Sequence, residues 1–164
     1  MRIAKRRKRE HKTDYGKRMK LLKGDMPRIV FRKSNKYVLA QYITSKQAQD
    51  KIEFGVSSRD LLKHGWPEEN KGSLKSISAS YLTGFLIGKK ITTTKGKPVV
   101  DFGMQRVLHK TKMYAFLNGL ADAGADIKTD EKFFPSEESI TGKNMKKDFS
   151  KTFSQIKSNI EKNA

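Results

Sequence analysis

The sequence predicts an α/β fold in which a sheet packs against helices behind a separate basic N-terminal arm. Three observations lead to this prediction. In residues 27–41, side chains of similar character recur at every second position around Ser34 and Asn35. This period of two is typical of a pair of antiparallel strands. Strand-like and helix-like segments then follow each other along the chain, which favours an α/β sheet over a bundle or a barrel. The length of 164 residues suits about one domain with one core.

The first two strands are predicted at residues 28–33 and 36–43, with Ser34 and Asn35 as a tight turn between them. If the turn is two residues long, Phe31 faces Val38 on one side of the sheet. The other side is a mixture of cations, aliphatic groups, an aromatic ring and an amide: Arg28, Val30, Arg32, Tyr37, Leu39 and Gln41. This face either contacts RNA or is an ordinary solvated face with arginines lying along it, and the segment leaves both interpretations open.

A third strand is predicted at residues 52–57, and a short helix at residues 59–64. Ser58 is the predicted N-cap of that helix, because a serine oxygen can accept the free N–H groups of the first turn. Gly65 is its predicted stop, because glycine readily adopts the left-handed conformation that ends many helices. Residues 66–72 are then a loop.

A long helix is predicted from Ser76 or Ser78, either of which can cap it, to about Ile91. Its buried stripe is Ala79, Leu82, Phe85 and Leu86. Gly84 and Gly88 lie four residues apart on this helix, where each costs about 1 kcal/mol relative to alanine. They indicate that another backbone approaches closely, and internal packing is favoured over a phosphate backbone as the cause.

The remaining elements are a buried strand at residues 98–103, a helix at residues 111–124 and an acid-rich connector at residues 129–142, where Ser136 opens a brief helical turn. The helix is predicted to turn four side chains inward: Tyr114, Leu117, Leu120 and Ala121. Residues 144–163 predict an amphipathic helix, which either folds back onto the core or docks on a neighbour in a larger assembly. Its apolar positions are Met145, Phe149, Phe153, Ile156 and Ile160.

The N-terminal arm, residues 1–24, holds eleven Lys and Arg against two acids. Residues 1–36 carry fifteen Lys and Arg and three acids, a net charge of +12, and the rest of the chain carries +7 of the total of +19. A positive electrostatic field of this kind is common on proteins whose binding partner supplies the negative charge. Among negatively charged partners, nucleic acid fits this sequence best. The arm has no apolar stripe for a membrane surface, and we expect it to order only on its partner.

The chain has no cysteine. A disulfide framework and a thiolate metal site are therefore excluded, and a reducing cytoplasm is the expected location. The longest largely apolar run, residues 79–91, is interrupted by glycines and lysines and is too short to cross a bilayer. We expect no cofactor, no membrane and no small-molecule substrate.

Several motifs occur in order over residues 6–145: RRKREHKTDY at 6–15, KRMKLL at 17–22, PRIVFRKSN at 27–35, AQ at 40–41, GW at 65–66, ASYLTG at 79–84 with GKK at 88–90, DFG at 101–103, ADAG at 121–124 and FP at 134–135. Together they closely resemble the large-subunit ribosomal protein L-eighteen family in its archaeal form, whose eukaryotic counterpart is ribosomal protein L-five. Many motifs in register are far more specific than any single pattern.

The resemblance implies a protein that binds 5S ribosomal RNA and anchors it beside 23S ribosomal RNA in the central protuberance, next to other large-subunit proteins. It also implies an α/β core with a mixed sheet, similar to the ribonuclease-H-like motif. This core corresponds to residues 25–128, between the basic arm at residues 1–24 and a C-terminal extension with a helix at residues 129–164.

The RNA-facing parts that the resemblance implies are the arm, the hairpin and the loop after the Asp-x-Gly strand. The matching candidates in the arm are Arg6, Arg7, Arg9, His11, Tyr15 and Arg18. Those in the hairpin are Arg28, Arg32, Lys33, Ser34, Asn35, Lys36 and Gln41. Those in and after the loop are Arg106, His109, Lys110 and Lys112. This loop departs from the family, because residues 104–109 replace a more usual glycine- and basic-rich segment. A second departure follows Pro135, where an arginine expected near Ser139 is missing.

The residues alone leave two alternative functions to consider, a nuclease and a DNA-compacting protein. A ribonuclease-H-like nuclease needs several convergent carboxylates around two metal ions, whereas Asp101 is the only acid at a predicted strand end and Asp122 and Asp126 lie on or after a helix. We therefore expect no catalysis, and we expect Asp101 to cap a loop or to accept a bond from a backbone amide. A DNA-compacting protein is allowed by the charge alone.

Overall fold

The computed structural model describes residues 4–92, 97–144 and 148–163. Its strands are β1 (Arg28–Lys33), β2 (Val38–Lys46), β3 (Gln49–Ser57) and β4 (Val99–Asp101). Its α-helices are α1 (Arg6–Arg9), α2 (Tyr15–Lys23), α3 (Ile77–Thr92), α4 (Lys112–Asp122), α5 (Glu137–Thr141) and α6 (Ser150–Lys162). Short 3-10 helices cover Ser58–His64, Glu68–Ser73 and Glu131–Phe133.

The four strands form one sheet in the order β3-β2-β1-β4. The pairs β3-β2 and β2-β1 are antiparallel, and β4 runs parallel to β1. The predicted α/β class with a mixed sheet and packed helices is therefore confirmed.

The hairpin register differs from the predicted one. Phe31 pairs with Ala40 and not with Val38, because the turn is longer than two residues. The N–H of Ser34 donates to the carbonyl of Tyr37 at 2.8 Å, and the Ser34 hydroxyl accepts the N–H of Tyr37 at 2.9 Å. The shift amounts to two residues, so the side chains predicted to point inward remain on the buried face.

The segment after β3 is a 3-10 helix, Ser58–His64, whose N-cap is Ser57 and not the predicted residue one position later. The Ser57 hydroxyl accepts the N–H of Arg59 at 3.3 Å, and the Asp60 carboxylate accepts the N–H of Ser57 at 2.9 Å. This reciprocal pair is a capping box, and it satisfies two N–H groups that would otherwise lack partners. Gly65 ends the helix with a φ of 102°, as predicted.

Helices α3 and α4 approach each other closely through glycines. A Cβ on Gly84 would overlap the carbonyl oxygen of Phe116, and one on Gly119 would overlap that of Tyr81. Gly88 is similarly close to the end of α4. Internal packing, here helix on helix, is therefore the reason for the glycines in α3.

Helix α3 is enclosed on nearly all sides, with every residue from 78 to 88 buried, including the four of the predicted stripe. In α4 the prediction is partly wrong. Leu117 and Leu120 are buried as expected and the half-buried Tyr114 packs against the core, whereas Ala121 is only half-buried. Met113, Ala115 and Phe116 are buried as well. The side of α4 that packs against α3 is set by the close contact at Gly119.

The last helix folds back onto the core, which is the first of the two predicted alternatives. Three of its apolar side chains are buried: Phe153, Ile156 and Ile160. The ring of Phe149, just before the helix, lies 4.9 Å from that of Trp66, centroid to centroid. The side-chain amide of Asn159 donates to the carbonyl of His64 at 2.9 Å. Met145 lies outside the described residues.

No helix in the described ranges combines the length and the apolar character that a membrane span requires.

Candidate nucleic-acid interface

The arm lies against the sheet through polar contacts made by α2. The Asp14 carboxylate caps this helix by accepting the N–H groups of Gly16 and Lys17 at 2.9 and 3.1 Å. The ammonium of Lys17 donates to the carbonyl of Gly103 at 3.3 Å, and an Arg18 guanidinium nitrogen lies 3.0 Å from an Asp50 oxygen. Carbonyl and acidic groups of the core thus contact the arm, and its ordering on a partner stays a prediction.

Arg28 is buried, whereas an RNA-facing residue would lie on the accessible surface. Only 3% of it is exposed, and one guanidinium nitrogen is 2.6 Å from an Asp50 oxygen and 2.8 Å from the Ser45 hydroxyl. Asp50 therefore joins Arg28 in β1 to Arg18 in the arm. Burial raises the pKa of Asp50, but hydrogen bonds from Arg18 and Ser45 and the charges of the two arginines outweigh it, so the pKa is lowered. Arg28 belongs to the folded core and not to the exposed surface.

Replacing Arg28 with methionine should lower the free energy of unfolding by about 2 kcal/mol, because Asp50 and Ser45 would lose a charged hydrogen-bond donor while remaining partly covered. Urea denaturation followed by circular dichroism measures this change. Lys36→Met is the matched control, since Lys36 is exposed in the hairpin turn and its loss should change stability by less than about 0.5 kcal/mol. Equal losses in the two variants would contradict the assignment of Arg28 to the core.

Asp101 and Arg32 hold the turn that follows β4. The Asp101 carboxylate accepts the N–H of Gly103 at 2.7 Å, which confirms the predicted bond to a backbone amide. Arg32 donates to the carbonyls of Phe31 and Asp101 at 2.8 and 3.2 Å, yet 43% of its side chain stays exposed. Across the three described ranges, no group of three or more His, Cys, Asp or Glu side chains converges as a metal site would require.

The remaining candidates of the arm are accessible. Arg6, Arg7, Arg9 and His11 are exposed, and Tyr15 is half-buried with the Lys5 ammonium 4.7 Å from the centre of its ring. Lys8, which is not among the residues predicted from the sequence, shares the exposed turn of α1 with the three arginines. Four adjacent cations therefore face solvent at the start of the arm.

The hairpin tip is exposed from residue 32 to residue 36, and Gln41 is half-buried. Successive residues of a strand point to opposite faces. Arg32 therefore projects toward the arm, and Lys33 projects toward the start of α4. Arg59 was missed by the sequence argument: its guanidinium carbon lies 4.3 Å from the centre of the Tyr37 ring. Nothing in the sequence pattern brings these two residues together.

Two cavities connect the candidate segments around the end of β1. One, of about 160 Å³, is lined by Arg7, Lys17, Arg32 and Met104 and joins the arm to the loop after β4. The other, of about 310 Å³, has four cations in its lining: Lys33, Arg106, Lys110 and Lys112. We call the exposed and partly exposed cations of these segments the basic surface: Arg6, Arg7, Lys8, Arg9, Lys17, Arg32, Lys33, Lys36, Arg106, Lys110 and Lys112. The tertiary structure thus brings the arm and Arg32 together at the loop after β4 in one cavity, and Lys33, the same loop and α4 together in the other.

His109 is turned away from this lining. Its ring stacks on Phe133 with centroids 3.9 Å apart and an angle of 19° between the planes. Tyr114 meets the His109 ring edge-on at 5.4 Å. His109 therefore anchors the loop to the connector before α5, although it is itself exposed.

Comparison with known proteins gives consistent matches. The family model described as "Ribosomal large subunit proteins 60S L5, and 50S L18" matches residues 1–98. The large ribosomal subunit protein uL18 of Korarchaeum cryptofilum (strain OPF8) is 37% identical over 143 residues, which are 85% of this chain and 70% of that protein. That of Methanoregula boonei (strain DSM 21154 / JCM 14090 / 6A8) is 33% identical over 144 residues, 87% of this chain and 80% of that protein.

A third relative, the large ribosomal subunit protein uL18 of Caldivirga maquilingensis (strain ATCC 700844 / DSM 13496 / JCM 10307 / IC-167), is 39% identical over 142 residues, 85% of this chain and 67% of that protein. The resemblance inferred from the motifs is confirmed. The chain belongs to the family of large-subunit ribosomal proteins L18 and L5.

Proposed function

We propose that this protein is a structural constituent of the large ribosomal subunit, where it binds 5S rRNA and anchors it to 23S rRNA in the central protuberance. Its relatives are named as large ribosomal subunit proteins. The observation that carries the proposal is the basic surface, whose cations come from the arm, the hairpin tip and the loop after β4 and several of which line two cavities around the end of β1.

The chemistry of this surface suits folded RNA. Phosphate contacts from Lys and Arg position a protein on RNA, while junctions and loops offer unstacked bases to planar side chains. Arginine suits both tasks, because its planar fork can hold two phosphate oxygens and can also stack on a base. We assign phosphate contacts to the exposed cations and leave out Arg28, whose guanidinium is bonded inside the protein.

We also propose that the core is ribonuclease-H-like without the nuclease chemistry. Three antiparallel strands with a parallel fourth strand beside the first support this assignment. We propose that residues 1–24 act as the RNA-binding arm and that residues 129–164 form an extension which meets neighbouring ribosomal proteins or rRNA through the exposed side of α6.

Competition binding tests the function. Labelled 5S rRNA bound to the protein at physiological salt is challenged with unlabelled 5S rRNA, with an unrelated structured RNA and with duplex DNA, all of equal length. We expect 5S rRNA to compete at least about a hundredfold more effectively than duplex DNA, because specific sites exceed non-specific ones by several powers of ten. Parity between 5S rRNA and duplex DNA would overturn the proposal and favour a DNA-compacting protein.

A further inference from the structure

The cavity between the hairpin tip and the start of α4, here called the α4 cavity, combines an apolar floor with a cationic rim. Ile77, Leu108 and Met113 provide the apolar lining. Lys33 reaches the cavity from β1, and Arg106 and Lys110 reach it from the loop. Lys112 is the first residue of α4 and is only partly exposed. Four positive groups from three segments therefore converge on about 310 Å³.

Among the described residues, no ion pair neutralises the positive charge of this cavity. Ion pairs in the described residues engage other cations, including Arg18, Arg28 and Arg32, but none of the four that line the α4 cavity. Burial lowers the pKa of Lys112, and the charges of Lys33 and Lys75 lower it further. Lys75, which precedes α3, lies outside the cavity lining, and its charge acts on Lys112. Like charges held together without an acidic partner repel each other, and an anion in the cavity would relieve that repulsion.

We propose that the α4 cavity binds one phosphate group, held directly by Lys112, Lys33 and Arg106 and assisted by the charge of Lys75. A volume of about 310 Å³ is at the small end of ligand sites, which suits a phosphate with the adjoining sugar and not an extended strand. The apolar floor excludes water beneath the anion and strengthens each charged hydrogen bond. This inference deepens the proposed function, because an RNA backbone is one source of the phosphate.

A titration with inorganic phosphate tests the site without RNA. Amide chemical shifts of the ¹⁵N-labelled protein are followed at fixed pH, with sodium chloride keeping the ionic strength constant. We expect saturable shifts at residues 33, 75 and 106–113. In Lys112→Gln the phosphate affinity should fall at least about tenfold, since hydrogen bonds to charged groups have this strength. Lys75→Gln should weaken binding about threefold, because Lys75 acts through its charge alone.

Lys151→Gln is the matched control, because it removes the same charge from an exposed position on α6, and its phosphate affinity should equal that of the unmodified protein. A parallel titration with acetate distinguishes phosphate from a carboxylate. Equal binding of acetate and phosphate, undiminished phosphate binding in both Lys112→Gln and Lys75→Gln, or the absence of saturable shifts would each overturn the proposal.

Binding of 5S rRNA to the unmodified protein and to Lys112→Gln, measured in parallel, separates this inference from the proposed function. If phosphate binding fails while 5S rRNA still binds, the phosphate site is wrong and the ribosomal function stands. If Lys112→Gln loses both phosphate and about tenfold in 5S rRNA affinity, the phosphate comes from the RNA backbone. If it loses phosphate alone, the site is confirmed and its ligand is a free phosphate compound.

Discussion

Gly119→Ala should lower the free energy of unfolding by about 3 kcal/mol or prevent folding, at the upper end of the usual cost of an overpacked core. A Cβ at this position would overlap the carbonyl oxygen of Tyr81 and would lie 2.9 Å from the backbone nitrogen of Phe85. Both obstacles are main-chain atoms of α3, which cannot rotate aside as the end of a side chain can. The helices would have to separate, and the contacts between them would be lost. Thermal and urea unfolding measure the effect.

Two further variants make this expectation specific to helix packing. Gly84→Ala should be similarly destabilising, because its methyl group would overlap the carbonyl oxygen of Phe116. Gly72→Ala is the matched control: nothing lies within 4 Å of the added carbon. Its stability should stay the same or rise by up to about 1 kcal/mol, since alanine reduces the entropy of the unfolded chain. If Gly119→Ala and Gly72→Ala unfold at the same urea concentration, the close approach of α3 and α4 is wrong.

Removing the four cations of α1 should weaken 5S rRNA binding by about a hundredfold at physiological salt, because each cation that meets a phosphate releases bound counterions. The variant replaces Arg6, Arg7, Lys8 and Arg9 with glutamine. If about eight cations of the basic surface contact phosphates, the logarithm of the affinity falls against the logarithm of the salt concentration with a slope of about −6 to −7. The slope of the variant should be shallower by about 3. Filter binding over a range of potassium chloride concentrations measures both quantities.

The control for this experiment removes the same charge elsewhere. Lys46, Lys63, Lys71 and Lys128 are all exposed and lie outside both the basic surface and the C-terminal extension. Replacing these four with glutamine should leave the slope within about 1 of the original value, because long-range effects between exposed charges are screened beyond about 10 Å. A slope shallower than about −2 in the unmodified protein, or equal losses in the two quadruple variants, would contradict binding by the arm.

The arm also connects stability to pH through Asp50. Its pKa is lowered in the folded protein, so the carboxylate form stabilises the fold at any pH above the ordinary range of an aspartate. That contribution is lost as the pH falls through the lowered pKa. The same carboxylate pairs with Arg18 of the arm and Arg28 of the core. Protonation of Asp50 at low pH therefore weakens both the attachment of the arm and the ion pair of the buried Arg28.

The local sequence pattern was sufficient to predict much of the fold. The positions of Ile29 and Phe31, two residues apart, predicted a shared buried face of β1, because successive strand residues point to opposite sides. The glycines of α3 predicted close packing, because a missing Cβ is useful only where something approaches. The density of cations at the start of the chain predicted a polyanionic partner, and the motifs over residues 6–145 predicted the family.

Contacts between distant segments were decided only by the tertiary structure. The sequence presents Arg28 and Arg32 as equivalent cations on one strand face, yet Arg28 is buried and paired with Asp50 of β3, which also pairs with Arg18 of the arm. The hairpin register depended on the hydrogen bonds of Ser34, which make the turn two residues longer than a minimal one. Periodicity fixes which side of an element is apolar, but it contains no information on which element will cover that side.

The same division between local sequence and tertiary structure holds for the candidate nucleic-acid interface. The sequence by itself determined that Lys33, Arg106 and Lys112 are cations in segments that can meet nucleic acid. Only the tertiary structure decided that they line one cavity, that the charge of Lys75 acts on Lys112, and that the apolar stripe of α6 is used inside the chain. The physical reason is that charge and hydrophobicity are properties of single residues, whereas burial, pKa and convergence depend on groups brought together from far apart in the chain.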